Sequence, residues 1–315
     1  AVLGGEMLPG EFIQFWLYFA LLSGPIRELG EKYNVLQAAF ASCERIFQLL
    51  AEPAFPPPRT DSQKPIACAK SGVAKIAFED VVFAYGDGPT VLDGVSFTAL
   101  PGQTVAIVGP TGAGKTTLLT LVSRLRDADA GSVKVDDIDV RNLDISQLRS
   151  RIAFVAQDLF LFTGTVMDNV RLFNPKVSEA RVWKALETVG AADFVRALPE
   201  GLQSPVAERG STFSQGERQL LAFARALVTD PDVLVLDDAT ASIDSESEER
   251  LQRALKTVLS GRTALVVAHR LSTVRNADQI LVLDSGKISE QGTHSELMHL
   301  EGRYARMTRN ATEAR

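Results

Sequence analysis

The first fifty residues carry the pattern of one long helix. Glu11–Leu22 is mostly apolar, but its apolar core of about a dozen residues is shorter than the roughly 20 that cross a bilayer. A continuous helix from Gly10 to Leu50 would be about 60 Å long, enough to leave a membrane and project from it. The alternative is an amphipathic helix packed on the protein itself. Beyond Pro25, apolar residues recur at three- and four-residue steps, as on one helical face: Ile26, Leu29, Tyr33, Leu36, Phe40 and Phe47.

A change of composition near residue 52 predicts a boundary between domains. Glu52–Lys64 holds four prolines, which is typical of an extended linker. We therefore expect an N-terminal helical segment (1–51), a Pro-rich linker (52–72) and one large domain (73–315). Because the chain begins in mid-pattern and without Met, we expect its N-terminal segment to be the remainder of a membrane domain.

Beyond the linker, the pattern of apolar and polar residues is that of an α/β fold. Helical segments dominate Ser146–Gly201, and we expect a helical subdomain at about 157–212. Short apolar strands that alternate with helices predict a parallel sheet that is buried on both faces. The expected strands, the first two of them around a Gly-rich turn, are Val73–Phe83, Val91–Leu100, Thr104–Val108, Val233–Leu236, Ala264–Ala268 and Ile280–Leu283.

Composition and charge argue against several classes of function. With 45% apolar and 23% charged residues among 315, most of the chain should fold around a core. A net charge of −6 argues against a nucleic-acid partner, because such proteins usually present a basic face. The two cysteines, Cys43 and Cys68, show no pairing pattern, which fits a reducing compartment. With three histidines, a histidine-rich metal site is not expected.

A complete phosphate-loop pattern, G-x-x-x-x-G-K-[ST], directly follows the predicted strand Thr104–Val108. Its glycines let backbone N–H groups approach phosphate oxygens at the N-terminus of the next helix. Its lysine supplies a charge for the β and γ phosphates, and its last threonine supplies a hydroxyl for Mg²⁺. The pattern therefore predicts a nucleotide site rather than an ordinary Gly-rich turn. Its residues are Gly109, Pro110, Thr111, Gly112, Ala113, Gly114, Lys115 and Thr116, with Thr117 next in the helix.

Two carboxylates end an apolar strand about 120 residues after this loop. Asp237 and Asp238 follow Val233–Leu236, at the edge where open α/β sheets bind their ligands. Asp237 is expected to hold Mg²⁺, as the corresponding aspartate does in this nucleotide-binding class, and Asp238 to face the attacking water. Alone, a strand that ends in two aspartates is weak support, but after a phosphate loop it becomes strong.

At this point the sequence resembles the ATP-binding cassette of ABC transporters of the exporter type, over residues 73–305. The deciding feature is Thr212–Gln219, TFSQGERQ, which looks like the family signature L-S-G-G-Q-R-Q. Ser204–Gly210 is similar to a segment that exporters carry before that signature. Four more residues match family motifs: Tyr85 (adenine stacking), Gln157 (Q-loop), Asp244 (D-loop) and His269 (switch histidine).

The resemblance implies a RecA-like P-loop core with a mainly parallel sheet, an antiparallel β subdomain and a helical subdomain, preceded by a helical membrane-domain remnant. It implies ATP and Mg²⁺ as cofactors, with Thr116, Gln157 and Asp237 on the metal. It also implies an inner or plasma membrane location, with the nucleotide-binding domain in the cytoplasm. Phe160 and Phe162 are candidates for contact with the membrane domain, although both could equally be core residues.

The resemblance further implies a second ABC half-transporter as partner, clamped head to tail on ATP, and an unidentified transported substrate. Ser214, Gly216 and Glu217 would then act on ATP held by the partner, because a helix N-terminus attracts phosphate. Glu217 replaces the usual Gln, however, and its carboxylate would repel a triphosphate unless it points outward or pairs with a cation such as Arg218.

The catalytic set implied by the resemblance is Asp238, His269 and Gln157, but Asp238 stands where most active family members have Glu. Aspartate is shorter by one methylene, about 1.5 Å, and a base must lie close to the proton that it takes. We therefore expect a slow, degenerate site, and this favours a heterodimer over a homodimer.

Two other functions remain open at this stage. A soluble ABC ATPase that works on DNA or ribosomes would often carry basic or coiled-coil insertions, and the sequence contains none. A regulatory module that binds ATP without hydrolysing it is the stronger alternative, because Asp238 is the residue in question.

Overall fold

A computed structural model describes residues 8–52, 74–237, 245–268 and 271–313 of the chain. It divides into two compact units, Ala1–Arg59 and Thr60–Arg315. In the first unit, one helix, α1, runs from Pro9 to Ala51 over 43 residues, which is about 65 Å. This confirms the predicted helix to within one residue at each end. Among the described helices, none is both long and apolar enough to span a membrane.

The second unit is an α/β domain, as predicted. Its strands are β1 (Ile76–Ala84), β2 (Thr90–Ala99), β3 (Thr104–Val108), β4 (Ala130–Val135), β5 (Ile138–Asp139), β6 (Ile152–Val155), β7 (Gly164–Thr165), β8 (Pro205–Val206), β9 (Val233–Asp237), β10 (Thr263–Val267), β11 (Gln279–Asp284) and β12 (Lys287–Gly292). Its helices are α2 (Lys115–Val122), α3 (Ile145–Arg151), α4 (Val166–Arg171), α5 (Glu179–Thr188), α6 (Ala192–Ala197), α7 (Gln215–Leu227), α8 (Ser245–Leu259), α9 (Leu271–Arg275), α10 (His294–His299) and α11 (Arg303–Glu313).

A sheet with the strand order β12-β11-β3-β10-β9-β6 forms the centre of this unit. Its strands pair in parallel except for β11 with β12. Successive residues of β9 face opposite sides: Leu234 and Leu236 pack in the apolar cluster that includes α7 and α8, whereas Val233 and Val235 pack in the cluster that includes α2. The predicted parallel sheet with two buried faces is therefore confirmed.

A second sheet, with the order β2-β1-β4-β5, is antiparallel throughout. The rings of Phe78 on β1 and Phe97 on β2 stack with their centres 4.7 Å apart. The inward residues of this sheet share one apolar cluster with α2 and α3. This packing brings the end of β1 and the start of β2 close to the loop that follows β3.

Helices α4, α5 and α6 lie within the range predicted to form a helical subdomain and pack with α7 in one apolar cluster. The sequence interpretation missed six strands: the two-residue strands β5, β7 and β8, and the longer strands β4, β6 and β12. Both β4 and β12 carry polar residues along their exposed edges, and β6 begins directly where α3 ends. Neither β4 nor β12 shows the continuous apolar run that identified β3, β9 and β10, whereas β6 is such a run but has no turn residue to separate it from α3.

Candidate functional site

The phosphate loop, the end of β1 and the carboxyl edge of the central sheet line one cavity of about 370 Å³. This volume is typical of a small-molecule site. The cavity brings together residues from five separate parts of the chain, most of which the sequence had linked only by motif. Its lining residues are Tyr85, Val91, Thr111, Gly112, Gly114, Lys115, Thr116, Thr117, Gln157, Asp237 and Val267.

The lysine of the phosphate loop is buried, with 8% of its surface exposed. Its Nζ donates to the carbonyl oxygens of Gly109 and Pro110, at 2.9 Å each. Carbonyl dipoles thus face the ammonium group of Lys115 at the position where phosphate oxygens would be stronger acceptors. Ala113 of the same loop does not line the cavity and is buried.

Two glycines fix the path of the loop, because side chains there would collide with the protein. A Cβ on Gly114, which has φ +99°, would lie 2.9 Å from the carbonyl oxygen of Val91. A Cβ on Gly109 would lie 2.1 Å from the carbonyl oxygen of Leu283. The loop therefore packs tightly on β2 and β11, and Gly114 is also the residue before α2 begins.

Tyr85 is 46% exposed and lines the cavity, which excludes the alternative that it packs in the core. Its hydroxyl lies 3.0 Å from the hydroxyl of Thr117 on α2. The ring of Phe83 meets it edge-on at 4.9 Å, and the guanidinium of Arg126 lies 5.6 Å from its centre. These contacts hold the ring at the rim of the cavity, where a planar base could stack on it.

The three residues predicted to hold a magnesium ion line the same cavity. Asp237 ends β9 and is 4% exposed, Thr116 lies in the first turn of α2, and Gln157 follows β6. Within the described ranges, no group of three His, Cys, Asp or Glu side chains could hold a metal by itself. Mg²⁺ prefers oxygen ligands and usually completes its shell with waters and substrate phosphates. The residues present therefore fit an ion that arrives with a nucleotide.

Comparison with known proteins agrees with this geometry. A family described as ABC transporter matches residues 92–241. An uncharacterized ABC transporter ATP-binding protein of Bacillus subtilis, YknV, is 46% identical over 297 residues, which are 94% of this chain and 48% of that protein. The chain belongs to the ABC transporter family. A fatty acid ABC transporter ATP-binding/permease protein of Mycobacterium tuberculosis is 39% identical and matches 97% of the chain and 47% of its own length.

A solved structure supports the same assignment. A bacterial Atm1-family ABC exporter with ATP bound is 34% identical, with a TM-score of 0.76, and matches 96% of this chain and 52% of that chain. The chain thus spans about half the length of the relatives it matches. Members of this family are transport-coupled ATPases, and their ABC domains bind ATP, generally with Mg²⁺.

The ABC signature lies away from the phosphate loop within this chain. Ser214 and Gly216, at the start of α7, line a separate cavity of about 670 Å³. The carboxylate of Glu217 accepts a hydrogen bond from the backbone N–H of Ser214 at 2.8 Å and so caps its own helix. Arg218 instead donates to the carbonyl oxygen of Phe213 at 2.7 Å. The carboxylate of Glu217 is thus engaged by the backbone of its own helix, whereas the guanidinium of Arg218 binds a carbonyl oxygen.

Three predicted ABC residues, Asp238, Asp244 and His269, lie outside the described residues. Their roles remain predictions from the family motifs. The strands that precede two of them are described: β9 ends one residue before Asp238, and β10 ends two residues before His269. Both strands therefore point the chain toward the carboxyl edge at which the cavity lies.

Sequence reasoning missed Val91 and Val267 in the cavity and Arg126 beside Tyr85. Val267 could have been predicted to line the cavity, because it ends a central strand at the ligand-binding edge of the sheet. Phe160 and Phe162 are 46% and 44% exposed, which excludes the core alternative for both.

Proposed function

We propose that this chain binds Mg-ATP in the 370 Å³ cavity and hydrolyses it to drive export across a membrane. The observation that carries the proposal is the convergence of Lys115, Thr116, Asp237, Gln157 and Tyr85 on that one cavity. Each provides a group that Mg-ATP binding requires. Lys115 provides a positive charge, Thr116 a hydroxyl and Asp237 a carboxylate for the metal. Gln157 provides a polar side chain near the metal, and Tyr85 an aromatic face.

In this proposal, the chain's own residues hold the triphosphate. The ammonium of Lys115 exchanges its two carbonyl contacts for β- and γ-phosphate oxygens, while backbone N–H groups at the start of α2 face the same phosphates. Thr116, Gln157 and Asp237 would hold Mg²⁺, which neutralises charge that develops on the phosphates. Asp238 would orient the attacking water, and His269 would contact the γ-phosphate.

The separation of the signature cavity from the phosphate loop supports a head-to-tail dimer. Ser214 and Gly216 lie at the start of a 13-residue helix and line no part of the cavity around Lys115. ATP held by one ABC domain would thus meet the signature of another half-transporter. Hydrolysis and product release would reopen the pair and drive the membrane domain, in an inner or plasma membrane with the ABC domain in the cytoplasm.

The exposed aromatic pair Phe160 and Phe162 supports a contact with that membrane domain. Their rings meet edge-on at 5.0 Å, and Phe173 lies 6.0 Å from Phe162. Among the relatives, one is named as a fatty acid transporter and others as lipid A-core flippases. The cargo of this chain stays undefined, since membrane helices would select it.

Steady-state ATPase and ATP-binding titrations test the proposal directly. Both should be measured on the chain alone and after co-expression with candidate half-transporters. ATP binding that needs Mg²⁺ and Lys115, with turnover that rises on assembly, is the expected result. The chain's failure to bind ATP under any of these conditions would refute the proposal.

Tyr85→Ala is expected to weaken ATP binding by about 0.5–1.5 kcal/mol, the contribution of aromatic stacking beyond area burial. Tyr85→Trp should bind ATP normally, because indole offers a larger face. The measurement is a calorimetric titration with ATP beside a melting curve for each variant. Normal affinity combined with a much lower melting temperature for the alanine variant would show that the ring serves folding instead.

We further propose that Asp238 makes this site slow, so that the chain works as the poorly hydrolysing subunit of a heterodimer. The alternative candidate, a regulatory ATP-binding subunit, rests on the same residue. The carboxylate of aspartate stops about 1.5 Å short of the reach of glutamate, and a misplacement of about 1 Å can cost about 10²-fold in rate.

Asp238→Glu is therefore expected to raise single-turnover ATP hydrolysis by the assembled dimer tenfold or more, which is about 1.4 kcal/mol of barrier. The matched control is Asp237→Glu, which adds the same methylene one residue earlier and should not accelerate the reaction. ATP and Mg²⁺ are kept at saturating concentrations, so that differences in ATP affinity between the variants do not affect the measured rates. An unchanged or lower rate for Asp238→Glu would mean that carboxylate reach does not limit this site.

A further inference from the structure

Arg225, near the end of the signature helix α7, holds the segment that follows Gln157. Its Nη1 donates to the carbonyl oxygen of Phe160 at 2.9 Å. Its Nε donates to the carbonyl oxygen of Asn169 at 3.1 Å, and its Nη2 donates to the side-chain oxygen of that residue at 3.1 Å. The rigid planar fork of arginine donates from three separate nitrogen atoms, whereas a lysine would have to donate all three bonds from one nitrogen.

This guanidinium group is mostly buried, and burial lowers the pKa of Arg225. Within the described part of the chain, no carboxylate lies within ion-pair distance of it, and the ring of Phe162 lies 5.8 Å away. A cation held by neutral oxygens alone is costly to bury. Three hydrogen bonds to backbone and amide oxygens offset part of that cost.

Asn169 also holds the segment that follows Gln157. It is 0% exposed, and its amide nitrogen donates to the carbonyl oxygens of Phe162 at 2.8 Å and Thr165 at 3.0 Å. Its side-chain oxygen accepts the N–H of Phe162 at 2.8 Å as well as the bond from Arg225. The backbone of residues 160–163, which belongs to neither a sheet nor a helix, is thus held by two side chains.

Both ends of α7 therefore contact functional segments. Its first turn carries Ser214, and Arg225 lies ten residues after the first helical residue, about 15 Å along the axis. Gln157 lines the ATP cavity only three residues before Phe160. Leu161, directly after Phe160, is fully buried, and its side chain would lie 2.7 Å from a Cβ built on Gly210, just before the signature.

We propose that Arg225 is a positioning residue that makes the Gln157 segment and the signature helix move as one body. A displacement of Gln157 on nucleotide binding then reaches Ser214 through Phe160, Arg225 and α7. This inference rests on the proposed function, because Gln157 must contact Mg-ATP for its displacement to matter. A merely structural role would stabilise the fold without linking the two segments.

The test uses the full chain at a concentration at which sedimentation shows a monomer. Amide hydrogen exchange is followed at residues 158–170 and 212–217, with and without Mg²⁺ and a non-hydrolysable ATP analogue. In the parent chain, the analogue should slow exchange in both segments by roughly threefold or more, since linkage acts on local opening. In Arg225→Ala, residues 158–170 should exchange faster, and the response of residues 212–217 should disappear.

Arg225→Lys keeps the charge but not the fork, so it should restore the response only in part. The control is Arg149→Ala: this arginine also donates to backbone carbonyls, those of residues 123 and 124, and does not bond to the segment after Gln157. The control should leave both responses unchanged. Exchange in β3 and β10 reports on global stability, so a general loosening there would be recognised.

ATPase activity, normalised to the number of nucleotides bound, supplies the second readout. Arg225→Ala should lower kcat by roughly tenfold and change KM less than about twofold, as for an interaction made only in the transition state. A retained analogue response at residues 212–217 in Arg225→Ala would overturn the inference, as would an equal effect of Arg149→Ala. If the parent chain bound no ATP, the proposed function would fail first, and the analogue response would be absent from every variant.

Discussion

Lys115→Ala is expected to weaken ATP binding by at least about a hundredfold. A hydrogen bond to a charged group contributes about 1.5–3 kcal/mol, and two such contacts to phosphate correspond to two or more factors of ten in Kd. Two of its hydrogen bonds go to carbonyl oxygens of its own loop, at 2.9 Å each. Isothermal titration with ATP and Mg²⁺ measures the effect.

Lys134→Ala is the matched control for this change. That lysine pairs with Glu79 on the antiparallel sheet at 2.6 Å and lies outside the ATP cavity. Lys115→Met, which keeps the length of the side chain but not its charge, separates the charge from the packing. If Lys115→Ala bound ATP as tightly as the parent chain, the assignment of this cavity to ATP would be wrong.

The site residues that could be predicted from sequence are those that directly follow or end a predicted strand. The glycines, Lys115 and Thr116 follow β3 directly, and Asp237 ends β9. Parallel strands place these ends at one edge, so an apolar run followed by polar residues was sufficient information. The central strands β3, β9 and β10 were predicted to within one residue for the same reason.

The residues that the sequence interpretation missed lie at their positions because of tertiary packing, not because they belong to a motif. Val91 lies beside the loop because Gly114 packs on β2, and Arg126 meets Tyr85 across the gap between α2 and β1. Asn169 and Arg225 are separated by 56 residues and share no motif. Nothing in their local sequence indicates a partner, because the contact depends on how α4 packs against α7.

A buried ion pair sets the relation between the two sheets. Arg151 ends α3 and is 1% exposed; its Nε lies 2.5 Å from Asp232, which is also 1% exposed and directly precedes β9. Its Nη2 lies 2.5 Å from Asp136, in the turn between β4 and β5 of the antiparallel sheet. The same arginine thus connects the strand that carries Asp237 with the sheet whose β1 leads to Tyr85.

Arg151→Ala is expected to lower the free energy of unfolding by about 3–5 kcal/mol, because it leaves the carboxylate of Asp232 buried without its cation. Thermal or urea unfolding of each variant measures the loss. The control is Glu187→Ala, which breaks an ion pair of the same 2.5 Å length whose side chains are 53% and 54% exposed. That exposed pair should contribute only about 0–1 kcal/mol, so burial and not distance decides the difference between the two variants.

Removal of both partners of the buried pair is expected to cost less stability than removal of Arg151 alone. The net contribution of a buried ion pair to stability is smaller than the loss measured when one partner is removed, because both charges lose their hydration when they are buried. Arg151→Met combined with Asp232→Leu should therefore recover most of the stability lost in Arg151→Ala, while Asp136, which is 33% exposed, returns to water. A double variant as unstable as Arg151→Ala would show that the hydrogen-bond geometry between the two sheets, and not an uncompensated charge, determines the cost.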